Sequence, residues 1–538
     1  MASSLPILVS KFGGTSVGSP ERVREVVELV VRNGEGRKAV VASAFGGVTD
    51  RLLDAINAAK KPDGDYEAIL MEIRQRHHAA VQELTKPEEQ PELTELLDSF
   101  WTEIRELLGG VRKREASDAR TMDAIVSAGE RSSVPIVAAA FRAAGHPAIA
   151  LDTRLLIRTD ATHGEAVVDF ETTNIQFQDA FKTIPDGTIA VVTGFIASTE
   201  QGATTTLGRS GSDYTATILA NALNAKECVI WTDVDGVLSA DPRLVPEAFT
   251  LPNLSYEEAG ELAHFGAKVL HPRTMRPLQA KGIPLRIKNT MRPDHPGTVI
   301  GPERELTEYR IKAITSVRDV ALIRLIGTGV FGAPHLTARA FTALAGAGID
   351  VLLIAQASSE GSLCFAVRGV AAEPALELLK KTFEKERGRG NLRLLMEPDN
   401  AVIAAVGDFM RDAPGLAGRM FGTLGRARVN VRAIAQGASE HNISAAIANE
   451  DAALAVQALH ESFALRRTRA HVFLIGMGGL GQRVLSLLNE QSSKLRDEHR
   501  LNFKLVGVAN STRVLFDKSG LSWEAAQSFV DTGRPSTL

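Results

Sequence analysis

Pro6-Ile-Leu-Val-Ser10-Lys11-Phe12-Gly13-Gly14-Thr15-Ser16-Val17, running on into Pro20–Asn33, decides the fold. Pro6–Ser10 is a short apolar run bounded by a glycine pair, the pattern of a strand. Pro20–Asn33 then spaces its valines at helical intervals, and Lys38–Ser43 resumes the strand pattern. The alternation continues with strand candidates at Ala148–Leu151, Thr188–Thr193, Glu227–Thr232 and Pro284–Lys288. Helical patterns such as Ser212–Leu223 and Tyr256–Leu270 fill the gaps. Strands alternating with helices imply a layered α/β/α domain on a mostly parallel sheet. Asp63–Ala116 departs from the pattern: it is polar and helical throughout, and reads as a helical insertion.

Downstream, the chain repeats itself. Gly348-Ile-Asp-Val-Leu-Leu-Ile-Ala-Gln356-Ala-Ser-Ser-Glu360 is echoed 80 residues later by Arg428-Val-Asn430-Val-Arg-Ala-Ile-Ala-Gln436-Gly-Ala-Ser-Glu440. Each copy has a helix before it (Leu336–Ala347; Leu416–Arg426), a strand after it (Leu363–Val367; Ile443–Ile447) and a closing helix (Ala375–Glu386; Ala452–Phe463). Two small βαββαβ units are the expectation. A last segment opens with a strand, Ala470–Ile475, enters Gly476-Met-Gly478-Gly-Leu-Gly481, and continues through a helix to a strand at Phe503–Val508. That is about one βαβ step of a dinucleotide-binding half, which needs βαβαβ.

Composition narrows the class. The 538 residues are 23% charged and 44% hydrophobic, which excludes a disordered or fibrous chain. A net charge of −3 supplies no global field for nucleic acid. Cys228 and Cys364 both lie in apolar runs and read as buried free thiols, not a disulfide framework or a zinc site. No apolar stretch nears the roughly 18 residues of a membrane span, and no signal peptide leads the chain. A cytoplasmic protein that binds neither nucleic acid nor membrane is expected.

The chemistry sits in the turns. Lys11 and the Gly13–Gly14 pair, just before a helix, offer a cation and backbone amides to an anion. The lysine precedes the glycines, so this is no Walker A loop, and the segment alone also fits a plain strand–turn–helix connection. Leu207-Gly-Arg209-Ser-Gly-Ser212-Asp213 adds a cation, a hydroxyl and a carboxylate before another helix, where Ser-Asp could also be a simple cap. Trp231-Thr232-Asp233-Val-Asp-Gly236 ends a strand with polar groups, and Asp241-Pro-Arg243 follows as a turn. His264 and His271 read as packing or capping residues.

Taken together, these blocks resemble the amino acid kinase family and, within it, the aspartate kinases. The matching pieces are Lys11-Phe-Gly-Gly-Thr-Ser-Val, Val-Ala-Ser43-Ala-Phe-Gly-Gly-Val-Thr49, Ser127-Ala-Gly-Glu130-Arg, Gly-Arg209-Ser-Gly-Ser-Asp213, Trp-Thr232-Asp-Val-Asp-Gly and Phe265-Gly-Ala-Lys268-Val269-Leu-His271-Pro. The repeats look like paired ACT units, and the tail, with Gly507-Val-Ala-Asn510-Ser, looks like the start of a homoserine dehydrogenase. The whole resembles the bifunctional aspartate kinase–homoserine dehydrogenases cut short. This implies a catalytic part over 1–312, ACT-like units over 313–390 and 391–466, and an incomplete NAD(P)-binding start over 467–538.

The resemblance further implies transfer of the ATP γ-phosphoryl group to the β-carboxylate of L-aspartate. Lys11, Phe12, Gly13 and Gly14 would meet the phosphates, with Lys11, Arg209 and Asp213 catalytic. Ser43, Thr49, Glu130, Arg209 and Ser212 would hold aspartate. Thr232, Asp233, Leu238, Arg243, Lys268 and Val269 would line the nucleotide side, although Leu238 stands where related kinases often carry Tyr. Mg²⁺ would come with ATP, without a protein carboxylate cage. Gln356, Asn430 and Gln436 would bind an effector, threonine in preference to lysine, and the ACT units would join copies into a homo-oligomer. Gly476, Gly478, Gly481 and Asn510 would be an NADP-binding remnant without dehydrogenase turnover. The rivals are a kinase of another acidic amino acid, a non-catalytic amino acid sensor, and an oxidoreductase by descent.

Overall fold

The computed structural model describes residues 5–535 apart from 33, 35, 267–269, 303–309, 328–332, 357–361, 409, 411–412, 437–440, 464–467, 498–500, 519 and 530–533. The first part is built on an eight-stranded sheet. Its order is Ala148–Leu151, Ile189–Thr193, Arg37–Ala42, Ile7–Phe12, Glu227–Thr232, Leu285–Asn289, Thr298–Gly301, Asn253–Ser255. The first six strands are parallel, and the seventh turns antiparallel. Alternate residues face opposite layers: Ala39, Val41, Cys228 and Ile230 pack in one core, and Val40, Ala42, Val229 and Trp231 in the other. Strands buried on both faces explain why these segments read as continuous apolar runs.

Ile7–Phe12 leads out to Arg37–Ala42 on one side, while its other neighbour, Glu227–Thr232, leads to Leu285–Asn289 on the opposite side. The chain thus reverses direction between the two central strands, the place where open α/β sheets form a ligand crevice at their carboxyl ends. The insertion is a helical hairpin, Tyr66–Leu84 and Gln90–Arg114, packed over the second core.

The expected helix Tyr256–Leu270 is shorter than its pattern. It runs Tyr256–His264 and stops where Gly266 takes φ +100°, beyond the reach of most side chains. A separate helix, Pro272–Gln279, follows His271.

The repeats form one six-stranded antiparallel sheet: Leu353–Gln356, Ser362–Arg368, Ala313–Gly327, Leu392–Val406, Asn442–Ala448, Val431–Gln436. Its two long central strands are shared. Ala321, Ile323 and Leu325 pack in the first repeat's core, but Ile311 and Ile314 pack with Ala401, Ile403 and Ala405 in the second. The start of the strand 313–327 therefore serves the second repeat, whereas consecutive units were expected. Its register against Leu392–Val406 shifts between Val317 and Leu322, between the residues that pack in the two cores.

The tail is a parallel pair, Thr468–Ile475 and Leu501–Ala509, joined through the helix Gly479–Asp497 and extended by Arg513–Phe516. Met477, Leu485, Leu505, Val508, Ala526 and Phe529 give it a small core of its own. No helix among the described residues is long and apolar enough to cross a membrane.

Candidate active site

Five chain segments meet at the carboxyl ends of the central strands around a cavity of about 360 Å³. Lys11 leaves its strand into this cavity, and Gly13, Gly14, Ser43, Phe45, Gly46, Thr49, Glu130, Ser212 and Asp213 line it as well. Lys11 Nζ lies 2.6 Å from Asp213 Oδ1, an ion pair whose members are both about seven-eighths shielded from solvent. Asp213 stands in the first turn of the helix Gly211–Ala222, where the helix field favours a negative charge. The cap position belongs to Ser210, held at φ +56° without a side-chain capping bond, so Ser212-Asp213 is not a cap pair.

The two glycine loops interlock. A Cβ on Gly46 would sit 2.9 Å from Gly14 O, and one on Gly14 would sit 3.2 Å from Ala44 O. Only glycine lets these backbones approach so closely.

Glu130 is the site's unusual group. It is fully buried, accepts a 3.1 Å bond from the Ala44 amide through Oε1, and its Oε2 has no partner among the described residues. Burial outweighs the hydrogen bonds from two backbone amides and pushes the carboxyl up to about 8, which favours its protonated form at neutral pH. A cationic group entering beside Oε2 would return it to a carboxylate.

Arg209 does not reach the cavity. It is exposed on the loop 208–210, and the clamp expected of it is not formed here. Its charge instead falls on His271, which burial first, then Arg273 and Arg209, hold below the ordinary imidazole value. His271 caps the helix Pro272–Gln279, and His264 packs edge-on against Phe265, as structural histidines.

Of the residues expected on the nucleotide side, Thr232 closes its strand and its carbonyl accepts from the Thr290 amide at 2.8 Å. Asp233 is exposed beside it. Leu238 bridges to Thr250, and Arg243 is folded back on Asp241 (2.6 Å), as a turn would have it. Lys268 and Val269 lie outside the described residues. No group of three or more His, Cys, Asp or Glu able to hold a metal occurs among the described residues.

Gln356 and Gln436 end the two edge strands of the six-stranded sheet, both exposed, with Asn430 exposed just before the second. Those edge strands approach within 8 Å, so the sheet curls and brings its edges together. Gly476 and Gly478 lie between strand and helix, Gly481 lies in the first turn of the helix, and Asn510 Oδ1 accepts from the amides of Thr512 and Arg513.

Sequence reasoning passed over Arg76, His77 and Asp123. Asp123, on the helix Ala119–Val126 that precedes the Glu130 helix, accepts from Thr206 Oγ1 (2.7 Å), His163 Nδ1 (2.9 Å) and Gly164 N (3.0 Å), tying its own helix to the strand that feeds the Arg209 loop. None of these three belongs to a recognisable motif.

Residues 6–289 match the amino acid kinase family, and residues 323–383 and 403–463 each match the ACT domain. The chain is 35% identical over 520 residues to the bifunctional aspartokinase/homoserine dehydrogenase 1, chloroplastic, of Arabidopsis thaliana, covering 95% of this chain and 57% of that one. It thus spans little more than half the length of that relative. Its structure is similar to E. coli aspartokinase III in complex with aspartate and ADP (R-state), with TM-score 0.72 and 32% identity, covering 85% of this chain and 99% of that one. Aspartokinase III in complex with lysine and aspartate (T-state) gives 0.69 at 31% identity over 85% and 99%.

Proposed function

Since the chain belongs to the amino acid kinase family, we propose that it is an aspartate kinase, passing the ATP γ-phosphoryl group to the β-carboxylate of L-aspartate. One observation carries the reading: the Lys11–Asp213 pair, the two glycine loops and the buried Glu130 all face one cavity at the sheet's reversal point. A β-carboxylate is already ionised at neutral pH, so the reaction needs no general base. It needs two anions held in line and their charge offset. Lys11, kept in place by Asp213, neutralises the transferring phosphoryl group, and the loop amides of Gly13 and Gly14 share the charge. Glu130 receives the substrate ammonium. Ser43, Thr49 and Ser212 donate to the substrate, and Arg209 swings in from the rim to take a carboxylate.

Thr232, Asp233, Leu238, Arg243, Lys268 and Val269 form the nucleotide side. Asp213 is paired with Lys11, burial favours the protonated form of Glu130, and Asp50 lines the cavity as an exposed carboxylate; with no cluster of carboxylates among the described residues, a Mg²⁺ ion held mainly by the phosphates themselves suits the cavity. In this scheme residues 1–312 are catalytic and the parts 313–390 and 391–466 regulatory, with the strand exchange described above. Threonine is the effector, read by Gln356, Asn430 and Gln436, and the ACT units join copies in the cytoplasm. Residues 467–538 correspond to the NADP-binding start of a dehydrogenase part.

The test is ATP-dependent acyl phosphate trapped with hydroxylamine, supplying aspartate or glutamate, with and without threonine or lysine. Aspartyl hydroxamate alone, suppressed by threonine, is expected. Suppression by lysine instead would replace the effector, and glutamyl hydroxamate would replace the substrate. Threonine binding without any hydroxamate would make the chain a sensor.

A further inference from the structure

The helical insertion reaches into the site from behind. Arg76, on the helix Tyr66–Leu84, donates through Nη1 to Gly46 O (2.7 Å) and through Nη2 to Gly18 O (2.6 Å). One guanidinium thus bridges both loops that form the cavity's floor, one from each of two neighbouring strands. The next residue, His77, is fully buried and stacks flat on Phe45, with ring centroids 4.9 Å apart, and leans on Trp101 at 5.3 Å. Phe45 itself lines the cavity. Burial holds the His77 ring neutral, near 4, so the stack carries no charge across the working range. Two adjacent residues of one helix therefore grip the Ser43–Thr49 loop, and one of them also grips the Gly13–Gly18 loop.

A planar fork with two parallel donors suits two carbonyls at once, which a lysine ammonium does poorly. The peptides are trans, so a carbonyl fixed toward Arg76 turns its own amide the other way. For Gly46 that amide belongs to Gly47, which lines the cavity.

We infer that Arg76 is a positioning residue that locks the two glycine loops into one cradle, and so sets the alignment between the phosphoryl donor and its acceptor without touching either. The inference rests on the proposed kinase reading for its kinetic consequence, and on geometry alone for its structural one. Misplacement of about 1 Å between reacting groups can cost up to about a hundredfold in rate. Arg76→Ala is therefore expected to lower kcat roughly 10- to 100-fold while the KM values for ATP and aspartate stay within about threefold. Added guanidinium ion should restore several-fold of the loss in this variant and nothing in the unmodified protein, and Arg76→Lys should recover only part. Hydrogen exchange of peptides covering 12–19 and 43–49 reads the cradle whether or not aspartate is the acceptor, and both should exchange faster together in Arg76→Ala. Unmodified kcat in the variant, loss without guanidinium rescue that tracks a lowered melting temperature, or exchange unchanged in either loop would overturn the inference. If the unmodified protein forms no hydroxamate, the kinase reading falls, and exchange alone decides the role of Arg76.

Discussion

Glu130 illustrates what one residue contributes beyond its motif. The Ser127-Ala-Gly-Glu130-Arg block raises the expectation of a substrate contact, yet its protonation state follows from burial, which no motif encodes. The folded carboxyl near 8 lies above its ordinary 4.5, so between those values the folded chain holds a proton that the unfolded chain has lost. Stability therefore falls as pH rises through that window, by about 1.4 kcal/mol per pH unit, until Glu130 ionises in the folded state. Glu130→Gln should flatten that slope in denaturant titrations between pH 5 and about 8. An ammonium ligand reverses the preference: aspartate binding at pH 7 should release close to one proton. Calorimetry in buffers of different ionisation enthalpy measures this directly, and a buffer-independent heat would show that Glu130 is already ionised or does not meet the ammonium.

Among the elements, the helix Tyr256–His264 shows both what periodicity reports and what it omits. Its pattern was legible, and its end was misplaced because the apolar spacing continues past Gly266, whose backbone alone breaks the helix. What the pattern could not reveal is that the six-stranded sheet and its flanking residues hold this helix and its end at four points. Lys312 pairs with Glu258 at 2.8 Å, Asn442 donates to Glu261 (2.6 Å), Thr315 donates to Phe265 O (2.8 Å), and His264 donates to Leu352 O (3.2 Å). These partners lie about 50 to 180 residues apart in the chain, beyond any local window. The Lys312–Glu258 pair is nearly dry, at 5% and 0% exposure. Lys312→Met leaves a buried carboxyl without its cation and should cost about 3–5 kcal/mol, whereas adding Glu258→Gln should recover a substantial part. Denaturant unfolding of the two single variants and the double variant measures the coupling, and additive costs would mean that the pair contributes nothing as a pair.

For the whole molecule, the sequence separated the parts better than it connected them. The α/β layering was legible because strands buried on both faces leave continuous apolar runs, and the repeat was legible because its echo is literal. The shared central strands were not, since an apolar strand reads alike whichever core receives it: Ile314 and Ile323 differ only in the partners that the fold supplies. The tail stands apart by the same criterion. Its core shares no residue with the other four, and Ile475, Leu480 and Phe516 remain 77%, 82% and 60% exposed. A unit of roughly 60–70 residues with so small a core is marginal on its own. It should therefore melt first and separately, as a low-temperature calorimetric transition that disappears when residues 467–538 are removed. Because the cavity, both glycine loops and the Lys312–Glu258 junction lie outside the tail, that removal should leave hydroxamate formation within about twofold, as expected of sites with no shared partners. A single transition for the intact chain, or a large loss of turnover on removal, would instead mean that the tail supports the catalytic part.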